Sequence, residues 1–185
     1  MLGQVVSAKL LDPEGLLREK LRLGLGCQLA DLGCGGAGYF TLPAARMVGS
    51  RGRVYAVDVL KSALEGVASK VKLENLTNVA TVWSDLERPS ATKVPEATLD
   101  AALLVNILFQ SRQNEAILRE AWRLLKPTGK LLLVDWKVEP TPFGPPMQSR
   151  LAPDAVRQLG ERIGFTTDDP FDCGPYHYGF VFVKP

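Results

Sequence analysis

The sequence predicts a doubly wound α/β domain, in which helices cover both faces of a mostly parallel sheet. Short apolar runs alternate with helix-like segments along most of the chain, which is the order of β-α-β units in a parallel sheet. Several of these runs are apolar at nearly every position, as expected for strands covered by helices on both sides. With 185 residues, of which 46% are apolar, the chain is predicted to form one domain over residues 1–185 with a substantial core.

Each element follows from local signals. Asp12, followed by a proline and an acid, predicts an N-cap and a short helix that runs to about Leu23. Pro43 is compatible with a helix over 39–48 because it falls in the first turn. The remaining elements are predicted from their hydrophobic period. Strands are predicted at 27–32, 53–58, 78–83, 99–105 and 129–136, and further helices at 61–74, 112–125 and 153–163.

The last third of the chain has a different composition. Residues 138–152 are rich in proline, which predicts an ordered loop that covers an acceptor as a lid. Two β-prone segments flank the turn at Cys173-Gly174-Pro175. They predict an antiparallel hairpin at the edge of the sheet.

Composition and charge exclude several functional classes. The 22 basic and 20 acidic side chains leave a formal net charge of +2, so no nucleic-acid partner is predicted. The sequence shows no basic leader with a long apolar core and no apolar run of membrane-spanning length, so a cytoplasmic enzyme is predicted. The three cysteines have no CxxC spacing, which argues against a disulfide framework and a metal site. Cys34 is interpreted as a small residue in a tight turn rather than as a nucleophile.

A glycine-rich loop follows the first predicted strand. Residues 31–38, DLGCGGAG, satisfy the GxGxxG pattern of dinucleotide-binding folds. Glycines let the backbone turn tightly, and the helix after them directs free N–H groups at an anionic or polar group. The same loop therefore fits either the pyrophosphate of a dinucleotide or the carboxylate of a sulfonium cofactor.

Three acids bear on this choice. Asp31 stands two residues before the first glycine, where the dinucleotide fingerprint keeps an apolar residue. Asp58 ends the second strand, where its carboxylate is expected to accept hydrogen bonds from both ribose hydroxyls. Asp85 follows the third strand, where an adenine amino group would lie. Ligands bind at this edge of a doubly wound sheet, so three acids at successive strand ends indicate a ligand site.

With these motifs the sequence resembles the class I S-adenosylmethionine-dependent methyltransferases, and among them the compact members related to quinone-biosynthesis methyltransferases. The similar stretches are ADLGCGGAGYFT at 30–41, VYAVDV at 54–59, WSDLE at 83–87, TLDAALLVNIL at 98–108 and LREAWRLLKPTGKLLLVDWK at 118–137. The resemblance implies a seven-stranded, mostly parallel sheet with a reversed last strand in a C-terminal hairpin. It also implies S-adenosylmethionine as the cofactor and transfer of its methyl group to a small-molecule acceptor.

The resemblance further implies roles for individual residues. Gly33 and Gly35 would contact the methionine end of the cofactor, and Asp31 would help to place its amino group. The ribose would be held by Asp58, and the adenine would pack on Val59. The other implied cofactor contacts are Asp85 and the Leu86 backbone at the adenine edge, and Asn106 beside the reacting methyl group.

The acceptor side of the sequence departs from the family. Relatives commonly have a histidine and an acid a few residues after that asparagine, where this chain has Phe109 and Gln110. A catalytic base assigned there in relatives therefore does not carry over. Only residues 138–152 remain to cover the acceptor, so an open site is expected unless a second subunit of a homo-oligomer closes it.

The start of the final strand supplies the candidate catalytic residues. An antiparallel strand in a parallel sheet begins at the edge where the other strands end. Tyr176, His177 and Tyr178 are therefore predicted to form a wall of the acceptor site, with the two tyrosines on one face and the histidine on the other. Alternatively, the tyrosines pack against a helix and His177 caps the turn. Lys137 and Arg150 either attract an anionic acceptor or lie on solvated surface.

Two other functions stay open. A nicotinamide-dependent oxidoreductase fits the glycine pattern, although Asp31 and the terminal hairpin argue against it. A cofactor-binding partner subunit without transferase activity fits the missing histidine and the small cap.

Overall fold

The computed structural model describes residues 10–185, and in them helices and strands alternate largely as predicted. The helices are α1 (Pro13–Gly15), α2 (Thr41–Val48), α3 (Lys61–Leu73), α4 (Asn114–Leu124) and α5 (Pro153–Ile163). The strands are β1 (Gln28–Leu32), β2 (Arg53–Asp58), β3 (Val79–Trp83), β4 (Leu99–Val105), β5 (Leu125–Trp136), β6 (Thr166–Thr167), β7 (Phe171–Asp172) and β8 (His177–Val183). A π-helical turn, Leu16–Lys20, continues α1, and short 3-10 helices lie at Leu108–Gln110 and Met147–Ser149. None of the helices in this part of the chain is long and apolar enough to cross a membrane.

The sheet has the doubly wound order β3-β2-β1-β4-β5-β8-β6. Strands β1 to β5 run parallel to one another, and β8 runs antiparallel to β5. This order confirms the predicted mostly parallel sheet of seven adjacent strands, to which the two-residue strand β7 is added on β8. The predicted hairpin is present, because β7 and β8 pair across the turn at Cys173. Strand β8 is not at the edge, however, since β6 and β7 pair along its outer side.

The register of β5 and β8 assigns their side chains to two layers of core. Tyr178 packs with residues of α4 and α5 on one face of the sheet. Val134 packs on the opposite face with residues of α2 and of the N-terminal helix. Trp136 and its register partner His177 share the face of Val134, because side chains alternate along a strand. His177 and Tyr178 therefore lie on opposite faces of the sheet.

The N-terminal helix differs from the prediction at both ends. Asp12 makes no side-chain cap hydrogen bond, and its carbonyl instead accepts the Leu16 N–H at 3.0 Å. A Cβ atom at Gly15 would lie 2.5 Å from an oxygen of the Asp12 carboxylate, so this carboxylate packs against Gly15 in the first turn. The helix then widens into the π-helical turn and ends at Lys20 rather than at Leu23.

Candidate functional site

A crevice crosses the carboxyl ends of the parallel strands, where the strand order reverses between β1 and β4. It consists of two chambers, the Asp58 chamber with a volume of about 410 Å³ and the His177 chamber with a volume of about 650 Å³. The Asp58 chamber is lined by Gly33, Gly35, Gly36, Asp58, Val59, Leu60, Ala63, Ser84, Asp85, Leu86, Glu87, Ile107, Gln110, Ser111 and Ile117. The His177 chamber is lined by Leu10, Leu11, Asp31, Gly33, Cys34, Gly35, Tyr39, Phe40, Val105, Asn106, Ile107, Gln110, Trp136 and His177.

Gly33 and Ile107 lie between the two chambers. Each of them lines both chambers, and a Cβ atom at Gly33 would lie 2.2 Å from the Ile107 Cδ1 atom. The φ angle of Gly33 is 84°, in a region that residues with a side chain rarely adopt. Glycine is therefore favoured at position 33 by the positive φ of the backbone, and any side chain there would also push the flexible end of Ile107 aside.

The Asp58 carboxylate joins the loops that follow β1 and β2. One of its oxygens accepts the Gly35 N–H at 3.0 Å, and the other accepts the Leu60 N–H at 2.9 Å. A carboxylate has about four lone-pair sites, so these two bonds leave acceptor capacity toward the chamber. Asp58 is thus placed both to shape the glycine loop and to accept hydrogen bonds from a ligand.

Asp31 is a buried acid at the carboxyl end of β1. Thr41 Oγ1 donates a hydrogen bond to its carboxylate at 2.6 Å. Burial raises the pKa of Asp31 to about 6; the Thr41 hydrogen bond opposes this shift, and the nearby Asp58 charge adds to it. A positively charged ligand group beside Asp31 would favour its ionised form. Thr41 stands ten residues from Asp31 in the sequence, which explains why no local pattern singled it out.

The third predicted acid, Asp85, borders the Asp58 chamber with a different environment. Its carboxylate accepts the Glu87 N–H at 3.0 Å and pairs with the Arg88 guanidinium at 3.4 Å. Leu86 is buried beside it, whereas Val59 lies on the rim with 54% of its surface exposed. The structure therefore brings Asp58, Val59, Asp85 and Leu86 around one chamber, as the resemblance implied.

Asn106 follows β4 and belongs to the other chamber. It has a left-handed backbone with φ of 58°, which asparagine tolerates better than most residues. Its Oδ1 atom is buried and has no hydrogen-bond partner within residues 10–185. A buried carbonyl oxygen without a partner costs free energy, so Asn106 is poised to accept a hydrogen bond from a ligand.

His177 is the most unusual residue of the crevice. Its side chain is 1% exposed, and its ring centroid lies 4.2 Å from that of Trp136. Neither ring nitrogen has a hydrogen-bond partner in the described part of the chain. Burial, and to a smaller extent the charges of Arg150 and Lys137, lowers the pKa of His177 to about 4. The imidazole is therefore neutral at pH 7 and presents an unused acceptor nitrogen.

The two tyrosines next to His177 do not line the chamber, which corrects the predicted acceptor wall. Tyr178 is buried in the core on the other face of the sheet, where its hydroxyl donates to the Leu151 carbonyl at 3.0 Å. Tyr176 packs against Phe143 with ring centroids 5.0 Å apart. The alternation along β8 was predicted correctly, but only the face of His177 meets the crevice, so the tyrosines have structural contacts.

Residues 138–152 form a loop that is held together by one side chain. The five N–H donors of Arg150 are used by the carbonyls of Lys137, Glu139 and Pro145 and by the Thr141 hydroxyl, over distances of 2.6 to 3.0 Å. The loop rests against Trp136, since a Cβ at Gly144 would lie 2.7 Å from that indole. None of residues 138–152 appears among the described residues that line either chamber. The predicted lid thus stands behind Trp136 and does not contact the chamber.

The two cations at this loop are already paired. The Lys137 ammonium lies 2.7 Å from the Asp172 carboxylate. Arg150 spends its donors on the loop, and its guanidinium stands 5.4 Å from the Trp136 ring centre. Arg150 therefore has no donor left for an anionic acceptor, and the charge of Lys137 is balanced by Asp172.

Several lining residues had no sequence signal. Ile107 and Trp136 are apolar residues at strand ends, and such residues usually belong to the core. Glu87 accepts hydrogen bonds from Ser111 Oγ at 2.5 Å and from Gln113 Nε2 at 3.0 Å, which ties the loops after β3 and β4 across the Asp58 chamber. Glu87 and Ser111 are 24 residues apart in the sequence, so no local pattern predicts their hydrogen bond.

The cysteines and the acids of the described residues form no other reactive centre. Burial raises the pKa of the Cys34 thiol above its ordinary value, which keeps it protonated, in line with its interpretation as a small turn residue. Cys27, Cys34 and Cys173 are free. Within residues 10–185, no group of three or more histidine, cysteine or acidic residues is placed to hold a metal ion.

A protein-family model described as a methyltransferase domain matches residues 30–133, which include the glycine loop, Asp58, Asp85 and Asn106. The chain belongs to this methyltransferase family. The ubiquinone/menaquinone biosynthesis C-methyltransferase UbiE of Enterobacter sp. (strain 638) is 33% identical over 111 residues, which are 60% of this chain and 43% of that relative. The match thus spans less than half the length of the curated relatives.

Solved structures agree with this membership. A SAM-dependent methyltransferase from Aquifex aeolicus superposes with a TM-score of 0.86 at 27% identity, over 95% of this chain and 91% of that chain. The [4+2]-cyclase SpnF shares the fold with a TM-score of 0.78 at 18% identity, over 93% of this chain and 80% of that one. The predicted methyltransferase family is therefore confirmed, and the neighbour from Aquifex aeolicus is described as SAM-dependent. The GxGxxG pattern left two ligands open for the glycine loop, and membership in a methyltransferase family argues against a dinucleotide.

Proposed function

We propose that the methyltransferase methylates a small, uncharged acceptor that enters the His177 chamber and gives a proton to His177. The observation that supports this proposal is the pair of imidazole nitrogens that find no partner among residues 10–185, in a chamber with largely apolar walls. A buried polar group without a partner costs free energy, so a ligand that completes it binds favourably. The lowered pKa keeps the imidazole neutral near pH 7, so a nitrogen lone pair is free to accept a hydrogen bond and then the proton of the acceptor. The same shift makes His177 a weaker base than an exposed histidine, so its contribution depends on holding the acceptor hydroxyl at hydrogen-bond distance.

The residues around the crevice fit the cofactor that the family uses. Asp58 keeps lone pairs for the two ribose hydroxyls, and Val59 and Leu86 offer apolar surface to the adenine. Asp31 has no ion-pair partner in the described part of the chain, which suits a ligand amino group. Asn106 supplies a free carbonyl oxygen on the acceptor side of Gly33.

When bound, S-adenosylmethionine would supply an electrophilic methyl group: the electron pair of the acceptor would bond to the methyl carbon in line as the carbon–sulfur bond breaks and the neutral thioether leaves. The contribution of the chain is to position the acceptor and to exclude water, which supply much of the acceleration in such a transfer. Ile107 and Gly33 border both chambers, so they lie beside the path between cofactor and acceptor. His177 takes the proton that the acceptor loses.

The electrostatics of the His177 chamber favour an uncharged acceptor. No lysine or arginine is among the described residues that line it, and Asp31 is its one acid. An anionic acceptor would be desolvated there without a cation in direct contact, because Arg150 and Lys137 act on His177 only from outside the lining, and an unpaired buried charge costs roughly several kcal/mol. A hydroxyl or an aromatic amine, by contrast, is uncharged near pH 7 and donates to His177 or to Asn106 without bringing a charge.

The walls of the chamber favour an aromatic ring. Trp136 and Phe40 line it, and aromatic rings stack on such faces with a preference of about 0.5–1.5 kcal/mol. The UbiE relative is described as a C-methyltransferase of quinone biosynthesis. We therefore propose a hydroxylated aromatic acceptor, whose ring gains electron density when its hydroxyl proton moves to His177.

The experiment that tests this proposal is a transfer assay with S-adenosylmethionine labelled in its methyl group. The acceptors are uncharged hydroxyaryl and quinol compounds, each paired with a carboxylated analogue of the same ring. We expect label in products of the uncharged series only. Label in the carboxylated series alone would contradict the proposed chamber chemistry.

The second candidate is a cofactor-binding subunit without transferase activity. Phe109 and Gln110, which stand where relatives commonly have a histidine and an acid, favour it. Tight cofactor binding without label in any product, including products from cell metabolite pools, would support this candidate instead. A cytoplasmic location and a second subunit that closes the open site both stay predictions.

A further inference from the structure

We propose that Asp135 is a positioning residue for the acceptor: from the end of β5 it holds the loop that forms the partition between the two chambers. The proposal rests on the proposed methyl transfer for its kinetic test. Asp135 is 1% exposed. One of its carboxylate oxygens accepts the Leu108 N–H at 3.1 Å, and the other accepts the Trp136 N–H at 2.8 Å. The Phe109 N–H lies close enough to this carboxylate to oppose the rise in its pKa.

The loop that Asp135 holds carries three chamber residues. Asn106, Ile107 and Gln110 line the His177 chamber, and the latter two line the Asp58 chamber as well. The Gln110 Nε2 atom donates to the Asn106 carbonyl at 2.7 Å, which closes the loop on itself. The Asp135 carboxylate is the side chain that ties this closed loop to the sheet through the N–H group of Leu108, with the N–H group of Phe109 close by.

The other oxygen of the Asp135 carboxylate accepts the N–H of Trp136, whose ring is an aromatic wall of the His177 chamber. Asp135 therefore binds the loop of the partition and the backbone N–H of Trp136 with one rigid group. Its two oxygens serve donors on separate chain segments, and an asparagine has only one acceptor oxygen to replace them.

The charge of Asp135 is not needed to balance another charge. No lysine, arginine or histidine forms an ion pair with it in the described part of the chain. Its cross-strand neighbour Tyr178 donates its hydroxyl to the Leu151 carbonyl instead. Burial raises the pKa of Asp135 to about 6, against the effect of its backbone hydrogen bonds. A buried acid without an ion-pair partner costs free energy. Because Asp135 binds the loop that borders both chambers, we infer that it is kept to hold that loop in place.

The matched control is Glu120, a second buried acid that accepts two backbone N–H groups. It binds the amides of Ser90 and Thr92 at 3.1 and 3.0 Å, on a loop that lines neither chamber among the described residues. Asp135→Asn and Glu120→Gln each replace one acceptor oxygen of a buried carboxylate that holds a loop. Only the first is expected to disturb the partition.

The test compares both variants by amide hydrogen exchange, by S-adenosylmethionine binding and by turnover of the hydroxyaryl acceptor. For Asp135→Asn we expect at least tenfold faster exchange at Leu108 or Phe109 and about tenfold lower kcat, with cofactor affinity within about threefold of the wild type. For Glu120→Gln we expect wild-type kcat. If Asp135→Asn does not fold, Asp135→Ser, which leaves space for a water molecule, takes its place.

Three results of this comparison overturn the proposal. Unchanged exchange at both Leu108 and Phe109 would show that the carboxylate does not hold the loop. Faster exchange with wild-type kcat would reduce Asp135 to a structural residue, and so would an equal loss of kcat in Glu120→Gln. If no acceptor is turned over by the wild type, phenol is the probe: its affinity for the His177 chamber, followed by NMR, should fall in Asp135→Asn alone. Equal phenol affinity in wild type and variant would overturn the positioning role independently of the methyl transfer.

Discussion

Replacing Asp58 by alanine should weaken the binding of S-adenosylmethionine strongly without unfolding the protein. The carboxylate holds the glycine loop through Gly35 and the next loop through Leu60, and it faces the proposed ribose position. Loss of a charge-assisted hydrogen bond costs about 1.5–3 kcal/mol, which corresponds to a roughly 10- to 100-fold weaker affinity. Because the substitution also frees the Gly35 N–H, we expect the upper part of this range.

Isothermal titration calorimetry measures this loss directly, and Asp100→Ala provides the control. Asp100 also accepts a backbone N–H, from Gln28 at 2.8 Å, but it lies near the start of β4, at the opposite end of the sheet. The Asp100 variant should bind the cofactor as the wild type does. Wild-type affinity in Asp58→Ala, with a cooperative thermal transition in both variants, would refute the assignment of Asp58 to the cofactor site.

Two further predictions concern the same chambers. Gly33→Val should abolish the thermal shift that S-adenosylmethionine produces, because the side chain would collide with Ile107 and strain a backbone of φ 84°; a normal shift would mean that the loop is only a turn. Since the pKa of Asp31 is raised to about 6, the ionised form that attracts the ligand amino group appears only as the pH rises through that value. Cofactor affinity should therefore increase between about pH 5 and pH 7 and then level off, and Asp31→Asn should flatten this profile; a flat wild-type profile would remove Asp31 from the amino-group site.

The Asp58 side of the crevice could be predicted from the sequence because it depends on local rules. Parallel strands end at one edge of the sheet, so acids that follow successive strands, such as Asp58 and Asp85, meet there whatever the details of packing. The glycine loop follows from its own pattern, and the positive φ of Gly33 bears this out. The helix and strand types were predictable for the same reason, since long periodic segments carry their own signal.

The His177 side depends on contacts that are distant in sequence. His177 meets Trp136 only through the antiparallel register of β8 on β5, which no local pattern fixes. That register also places Tyr178 in the core, whereas the sequence alone predicted that it lines the acceptor site. The role of Arg150 was ambiguous for a similar reason. Its five hydrogen bonds go to nearby carbonyl oxygens and to the Thr141 hydroxyl, and carbonyl oxygens have no sequence signature.

The most direct test of the account is single-turnover methyl transfer to the hydroxyaryl acceptor by wild type and His177→Ala, with the cofactor affinity measured on the same samples. A positioned base contributes about 100-fold or more to such a step. The account predicts a loss of that size in the transfer rate and cofactor affinity within about twofold of the wild type. Transfer at the wild-type rate by His177→Ala would contradict it.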